Sequence, residues 1–333
     1  MSLATRSTAI RLALPAPRGP LSSHLIDALG SGAPVEHRRD VTSADPFGDD
    51  LQLALYVAYE LHYAGFDGVD DDREWDPDIL GFRRDLERAF LDAVRREVGD
   101  IETDVSATVE MDELSTEPVD GDGVSFRLRD TGTWDQFRDL FAMRSVYHLK
   151  EADPHAWAIP RLRRTAKAAF VAVEFDEFGG GRGDAVHQEL FADLLEAADL
   201  DARHLAYLDT APAWALSPVN LMSCFGLHRA LRGAAVGHLA ATEITSPPGS
   251  ARLLAGLERI DAPEACRHFY REHVEADAVH EQILRTDVVG ALVGAEPELE
   301  RDVVFGIRGF LLVEDKFDDG LQSAWRAGVG LRG

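Results

Sequence analysis

The stretch His273-Val-Glu-Ala-Asp277-Ala-Val-His280, near the C-terminal end of the chain, carries two imidazoles and a carboxylate at positions i, i+4 and i+7. On an α-helix these three side chains lie within about 60° of one another, on one face. Two histidines with a carboxylate suit a redox-active iron better than calcium, which prefers oxygen ligands, or structural zinc, which usually takes thiolates. The stretch therefore predicts a helix that contributes ligands to an iron site, whose other ligands come from elsewhere in the chain.

A second group of such side chains lies upstream, in Glu177-Phe-Gly-Gly-Gly-Arg-Gly-Asp184-Ala-Val-His187. The spacing predicts that Asp184 and His187 share one helical face and that Glu177 ends the preceding helix. Helix bundles build di-iron carboxylate sites from inward-facing carboxylates and imidazoles on facing helices. With Glu151, which lies late in an earlier predicted helix, the candidate ligands are Glu151, Glu177, Asp184, His187, His273, Asp277 and His280.

Each candidate taken alone has an ordinary structural alternative. Asp184 follows a glycine and is equally suited to cap a helix. Glu151 and Glu177 are typical of charged helix ends, and a single histidine is more often hydrogen-bonded than metal-bound. The combination is what favours metal, because four carboxylates and three imidazoles are about what two iron ions need while positions stay open for dioxygen.

The composition narrows the class of protein. The 333 residues are 45% hydrophobic, and 34 basic against 59 acidic residues give a net charge of −25. A field of that sign repels phosphates and anionic lipids, so we expect neither nucleic acid nor a membrane surface as a partner. Cys224 and Cys266 are the only cysteines, too few for a disulfide framework or a thiolate zinc site. No apolar run has the length of a signal peptide or a membrane span, and we expect a cytoplasmic protein.

The hydrophobic periodicity predicts an all-α fold. Residues 1–48 are rich in Pro, Ser and Gly and predict a surface arm with one short helix, whereas residues 100–132 predict a short hairpin or irregular segment. We expect an N-terminal arm and auxiliary helical region at residues 1–132 and a helical bundle at 133–333. An apolar helix near residues 51–63 suits a homodimer interface. Helices are predicted near residues 21–29, 49–65, 78–98, 134–153, 159–178, 184–198, 202–210, 217–243, 248–257, 261–294 and 297–324.

From Trp134 to the C-terminus the sequence resembles the heme-oxygenase-like diiron oxidases and oxygenases, a family of iron-containing redox enzymes. The resemblance rests on Glu151, on Glu177-x6-Asp184-x2-His187 and on His273-x3-Asp277-x2-His280. Position 184 departs from the family pattern, which has Glu there; the shorter Asp suits chelation of one ion rather than bridging of two.

That resemblance implies a heme-oxygenase-like helical bundle with an N-terminal helical extension. It also implies two Fe(II)/Fe(III) ions, with O2 as the co-substrate and an external electron donor as a possible partner. The implied distribution of ligands places Glu151, His187 and His280 on one iron, Glu177, His273 and Asp277 on the other, and Asp184 between or near both.

The family oxidises amino acids by N-oxygenation, desaturation, cyclisation or C–C cleavage, and it also decarboxylates fatty acids. The resemblance therefore implies an O2-dependent oxidase or oxygenase acting on a small carboxylate, a free amino acid in a biosynthetic pathway, with a fatty-acid oxidative decarboxylase as the alternative. A carboxylate needs a buried cation, and a fatty acid needs an apolar channel. The candidates for these roles are Arg161, Arg163, Arg285 and Arg308 as anchors and Phe225, Leu227 and Phe310 as channel residues. Glu243 is a weaker candidate, as a metal ligand or as a partner of a substrate amine.

Two other classes of protein stay open. A heme protein on the same fold needs one axial histidine and a basic clamp for the propionates, which leaves most of the candidate ligands without a role. A non-catalytic helical protein that stores iron or binds a partner fits the same ligands without any oxygen chemistry.

Overall fold

The computed structural model describes residues 11–36, 40–116 and 119–332, except for the side chains of residues 40 and 275–278. Every regular element in those ranges is helical, which confirms the predicted all-α fold. Short 3-10 turns and one π-helical turn join the longer helices. The α-helices are α1 (Pro20–Ser31), α2 (Asp49–Glu60), α3 (Pro77–Val98), α4 (Ala107–Leu114), α5 (Val124–Thr131), α6 (Trp134–His148), α7 (Asp153–Ala156), α8 (Arg164–Glu177), α9 (His187–Ala197), α10 (Ala213–Leu227), α11 (Arg232–Arg259), α12 (Glu264–Ile283), α13 (Ala291–Ala295) and α14 (Glu300–Ala327).

The predicted hairpin at residues 100–132 is wrong, because this segment contains α4 and α5. Val124 and Leu128 of α5 are buried where α5 packs against α11. At this contact a Cβ on Gly256 would lie 2.6 Å from the Leu128 carbonyl oxygen, so the two helices are in close contact. The β propensity of Thr and Val is weak and depends on context, and here helix packing outweighs it.

The prediction also divided α10 and α11 at the wrong place. Helix α10 ends at Leu227, and His228, whose backbone is extended, separates it from the 3-10 turn that precedes α11. Helix α11 then runs without interruption through Pro247 and Pro248. A proline inside a helix costs about 3 kcal/mol. Packing of α11 against α12 and α14 offsets that cost. The helix predicted at residues 202–210 is likewise wrong, since the structure has turns and bends there.

The N-terminal helices lie against the later ones. α2 packs on α10, and α3 packs on α14, so one continuous apolar core includes side chains from both regions. The division at residue 132/133 stays a prediction. No helix in the described ranges combines the length and apolar character needed to cross a bilayer.

A very close backbone contact joins α11 and α14. A Cβ on Gly237 would lie 2.0 Å from the Val303 carbonyl oxygen, and one on Gly306 would lie 2.1 Å from that of Ala234. Only glycine allows two helices to approach this closely. The contact holds in place the half of α11 that carries Glu243.

We expect Gly306→Ala to lower the free energy of unfolding by about 3 kcal/mol, because the added methyl group forces α14 away from α11. Gly81→Ala in α3 is the matched control: a Cβ there meets no atom within 4 Å, so this variant should gain up to about 1 kcal/mol from helix propensity. Urea denaturation measures both. Equal stability of the two variants would contradict the close contact.

Candidate metal centre

Helix α12 lies between α8, α9 and α11 and contributes the two histidines that the sequence singled out. His273 and His280 are 5% and 1% exposed. Two helical turns separate them, so each meets a different set of neighbours. The side chain of Asp277, the third candidate in this stretch, lies outside the described residues.

The first cluster comprises Glu151, His187 and His273, whose potential ligand atoms all lie within 4.8 Å of one another. His273 Nδ1 lies 2.8 Å from the Phe269 carbonyl oxygen. Because a carbonyl only accepts, Nδ1 carries the proton, and Nε2 is left with a lone pair. That Nε2 is 3.8 Å from Glu151 Oε2. His273 is thus in the tautomer that a metal ligand requires.

The second cluster comprises Glu177, Glu243 and His280, again with ligand atoms within 4.8 Å of one another. His280 Nδ1 lies 3.2 Å from Glu243 Oε2 and 3.5 Å from Glu177 Oε1. Its Nε2 lies 3.3 Å from Oδ2 of Asp176, a half-exposed side chain. All three members of the cluster are buried.

The two clusters adjoin, because His187 Nδ1 of the first lies 2.7 Å from Glu177 Oε2 of the second. The glycines between these residues make the approach possible. Gly179, Gly180 and Gly181 all have positive φ, and a Cβ on Gly179 would lie 2.7 Å from the backbone of residues 185 and 186. This tight turn brings the end of α8 next to the beginning of α9.

Asp184 is the predicted candidate that the structure does not bring to the centre. It is exposed and lies in the 3-10 turn Gly183–Ala185, ahead of α9, which begins at His187. The expectation that Asp184 and His187 share a helical face is therefore wrong. The grouping also differs from the expected distribution: His273 lies with Glu151 and His187, and His280 lies with Glu177.

Glu174 is a buried carboxylate that sequence reasoning missed. It lies one turn before Glu177 on α8, is 2% exposed, and neither of its oxygens has a hydrogen-bond partner. Burial, and then the charges of Glu177 and Asp153, raise its pKa to about 9. An uncompensated carboxyl group in the interior is costly, and a nearby cation would relieve that cost. Its i, i+3 spacing from Glu177 was the available sequence signal.

Other ionisable groups respond to the same crowding. Burial alone would raise the pKa of Glu151, but the imidazoles of His148, 2.9 Å away, and His273 hold it well below its ordinary value. Burial lowers the pKa of His187, and the carboxylate of Glu177 more than compensates, so the net shift is upward. The imidazoles therefore offset only part of the negative charge of the carboxylates in this centre.

A family model described as iron-containing redox enzyme matches residues 138–315, more than half of the chain. The chain belongs to this family. The match confirms the suspected family and agrees with the haem-oxygenase-like helical fold. Among the curated proteins compared with the chain, none matches it significantly. As a member of the iron-containing redox enzymes, the protein is an oxidoreductase.

The residues present fit the iron that the family name implies. Three carboxylates and three imidazoles converge in two adjoining clusters, the mixed oxygen and nitrogen donor set that redox iron takes. Glu177 Oε1 and His187 Nδ1 are buried without a hydrogen bond of good geometry, although each lies close to another member of the centre. Buried polar atoms in that state suit a cation placed among them.

A cavity of about 520 Å³ opens beside the first cluster and is lined in part by Glu151, His148 and His273. Its wall combines apolar side chains with charges of both signs. The apolar and aromatic members include Phe126, Leu140, Tyr147, Tyr270, Phe310 and Leu311. The charged members away from the centre are Arg144, Arg252, Glu314, Asp315 and Asp318.

The arginines proposed as substrate anchors lie elsewhere. Arg285 pairs with Asp112 and Glu281, and Arg308 pairs with Glu110. Arg161 and Arg163 line a different cavity. Of the channel candidates, Phe310 lines the cavity beside the centre, Phe225 packs against His238 and Phe305, and Leu227 borders the core.

We expect Glu174→Gln to stabilise the iron-free protein at alkaline pH. The pKa of Glu174 is about 9 in the folded chain against an ordinary value of 4.5. Between these values the folded state holds a proton that the unfolded chain has released, so Glu174 makes stability fall as pH rises. Between pH 6 and 8.5 the wild type should lose up to about 3 kcal/mol more than the variant.

Urea denaturation with a chelator present, at both pH values, provides the measurement. Glu258→Gln, at an exposed position of α11, is the matched control and should behave as the wild type. A Glu174→Gln curve that runs parallel to that of the wild type would show that this carboxyl group is not held protonated.

Proposed function

We propose that the protein is a non-heme diiron oxidoreductase that uses O2 to oxidise a small carboxylate. Within that class the proposed substrate is a free amino acid. The observation that carries the proposal is the contact of 2.7 Å between His187 and Glu177, which joins two buried three-residue clusters into one centre. A single iron does not need two such sets of ligands. The centre therefore supports a pair of ions.

One ion would be held by Glu151, His187 and His273 and the other by Glu177, Glu243 and His280. Glu243 takes a place that the sequence pattern gave to Asp184, while Asp277 remains a further candidate. When bound, two ferrous ions supply electrons for the reduction of O2, and an external donor would restore them. Four buried carboxyl groups balance the charge of two divalent cations, provided that Glu174 releases its proton when the ions bind.

The surrounding side chains orient the candidate metal ligands, and one of them provides a hydrogen-bond donor beside the centre. The Phe269 carbonyl group fixes the tautomer of His273, and His148 orients Glu151. Tyr147 lines the cavity, and burial together with the charges of Glu151 and Glu177 raises its pKa well above the ordinary value. Tyr147 therefore keeps its phenolic proton at physiological pH and can donate it in a hydrogen bond towards the centre.

The polar end of the cavity supports a zwitterionic substrate. Arg144 donates two hydrogen bonds to Glu314, at 2.9 and 2.5 Å, so a cation and an anion already stand side by side there. An amino acid inserted between them would present its carboxylate to Arg144 and its ammonium group to Glu314. The volume of about 520 Å³ suits a small molecule.

We expect anaerobic titration with Fe(II) to load two ions per chain, and His187→Ala and His280→Ala each to lower that number to one or fewer. Each substitution removes a ligand from a different cluster. Asp184→Asn is the control: its side chain is exposed, so this variant should bind iron as the wild type does. Metal analysis after desalting, with Mössbauer spectra of 57Fe-loaded protein, measures the outcome.

Loss of iron in Asp184→Asn as severe as in His187→Ala would refute the ligand set. Full loading with no O2 consumption on any substrate would instead support the non-catalytic iron-binding alternative. A Soret band in the purified protein would show a heme protein.

We expect amino acids to stimulate O2 uptake by the iron-loaded protein, and the double variant Arg144→Gln/Glu314→Gln to lose that stimulation. The double variant removes both charges together, so no buried charge is left unpaired. It should bind iron normally, since neither residue belongs to a cluster. Stimulation by fatty acids that survives in the double variant would favour the decarboxylase alternative, in which Phe310 and Leu311 line the apolar part of the cavity.

A further inference from the structure

A second cavity, of about 680 Å³, lies at the beginning of α8 and contains an unusual concentration of positive charge. Five arginines and one acid, Glu296, line it. The arginines are Arg161, Arg163, Arg164, Arg229 and Arg232. In a chain with a net charge of −25, such a cluster opposes the general field of the protein.

Within the part of the chain that the structure describes, four of these arginines lack an acidic partner. Arg232 pairs with Glu296. Among the residues that the structure describes, no acid forms a salt bridge with Arg161, Arg163, Arg164 or Arg229. Arg161 Nη2 donates to the Leu227 carbonyl oxygen at 2.7 Å, whereas its Nη1 is buried and has no hydrogen-bond partner. Like charges held together in this way repel one another unless an anion lies between them.

The N-terminus of one helix adds to this charge. The first turn of α8 lines the cavity through Arg164, Thr165 and Ala166. No side chain caps α8 at its N-terminus. The first N–H groups of an α-helix have no partner within the helix, and the helix dipole places partial positive charge there. This end of α8 thus supplies anion-binding groups beside the arginines.

We propose that this cavity binds a small organic molecule with adjacent phosphate groups, of the nucleoside diphosphate class. The site is concave and draws its cations from two segments, 161–164 and 229–232, which suits several closely spaced oxyanions better than a single carboxylate. Ala291, Leu292 and Ala295 form an apolar wall against which a base or acyl group packs.

The ligand of this cavity is not the substrate carboxylate at the metal centre. Arg164 and Glu177 are the two ends of α8, so about 20 Å of helix separate the cavity from the centre. An amino acid cannot reach both. The proposal does not depend on the diiron assignment, and it gives Arg161 and Arg163 a role other than the one predicted from the sequence.

The test is isothermal titration calorimetry of the full-length chain, kept free of iron because pyrophosphate chelates iron. The titrants are inorganic pyrophosphate, ADP, citrate and a polyglutamate peptide, at 50 and 200 mM salt. Pyrophosphate should bind, more weakly at the higher salt. ADP should bind as tightly as pyrophosphate, or more tightly if the base contacts the apolar wall.

The decisive variant is Arg163→Gln/Arg229→Gln, since both side chains are exposed and the fold does not depend on them. It should bind pyrophosphate about tenfold more weakly or worse. Arg84→Gln/Arg96→Gln, at exposed positions of α3, removes the same charge outside the cavity and should bind as the wild type does. Far-ultraviolet circular dichroism confirms that each variant is folded.

Four results would overturn the proposal: no binding of pyrophosphate at millimolar concentration, equal weakening in both double variants, tighter binding of citrate than of pyrophosphate, or tighter binding of a polyglutamate peptide through the same arginines. The last would assign the cavity to an acidic protein partner. His187→Ala should leave pyrophosphate binding unchanged, so failure of the iron assignment and failure of this proposal remain distinguishable.

Discussion

The arrangement of the bundle depends on one constraint, which is the burial of several carboxyl groups close together. Glu151, Glu174, Glu177 and Glu243 are each at most 6% exposed. Carboxyl groups this close raise one another's free energy when they are ionised, and the interior offers little solvent screening. Imidazoles offset part of that cost, and Glu174, whose pKa is raised to about 9, keeps its proton instead. Four helices and the segment of Glu151 converge on the region, so a cation bound there would tie distant parts of the chain together.

The N-terminal region contributes to the centre indirectly, through the residue next to Glu151. Lys150 is 2% exposed, and its Nζ donates to Glu60 of α2 at 2.9 Å. The ammonium group also lies 4.2 and 4.5 Å from the ring centroids of Tyr56 and Tyr63. Burial would raise the pKa of Glu60, but Lys150 and a neighbouring imidazole lower it to about 2, so Glu60 stays ionised. This anchored ion pair fixes the segment that carries Glu151, which gives the auxiliary helices a structural role in the centre.

Helix α8 connects two sites of opposite charge, the arginine cavity and the candidate metal centre. Its N-terminus lines the arginine cavity, and its C-terminal turn carries Glu174 and Glu177. The arginines and the carboxyl groups therefore lie at opposite ends of one rigid helix. Each end of the helix is available to a ligand of the opposite charge. A helix dipole disfavours this order at its ends, since positive side chains gather at the N-terminus and negative ones at the C-terminus. Ligand binding at either end would relieve that conflict.

The sequence by itself determined the helical class, the family and the shared face of His273 and His280, because periodicity along one helix is a local property. It also proposed Glu151, Glu177 and His187 as candidate ligands, because their types and spacing are visible in the chain. Only the tertiary structure decided that Asp184 stays at the surface while Glu243, 59 positions further on, lies beside Glu177 and His280. It also decided that the arginines at 161 and 163 belong to another cavity. These outcomes depend on glycine turns and on helix contacts such as that of α11 with α14. Such features bring together residues that are distant in the chain, and no local sequence pattern marks them.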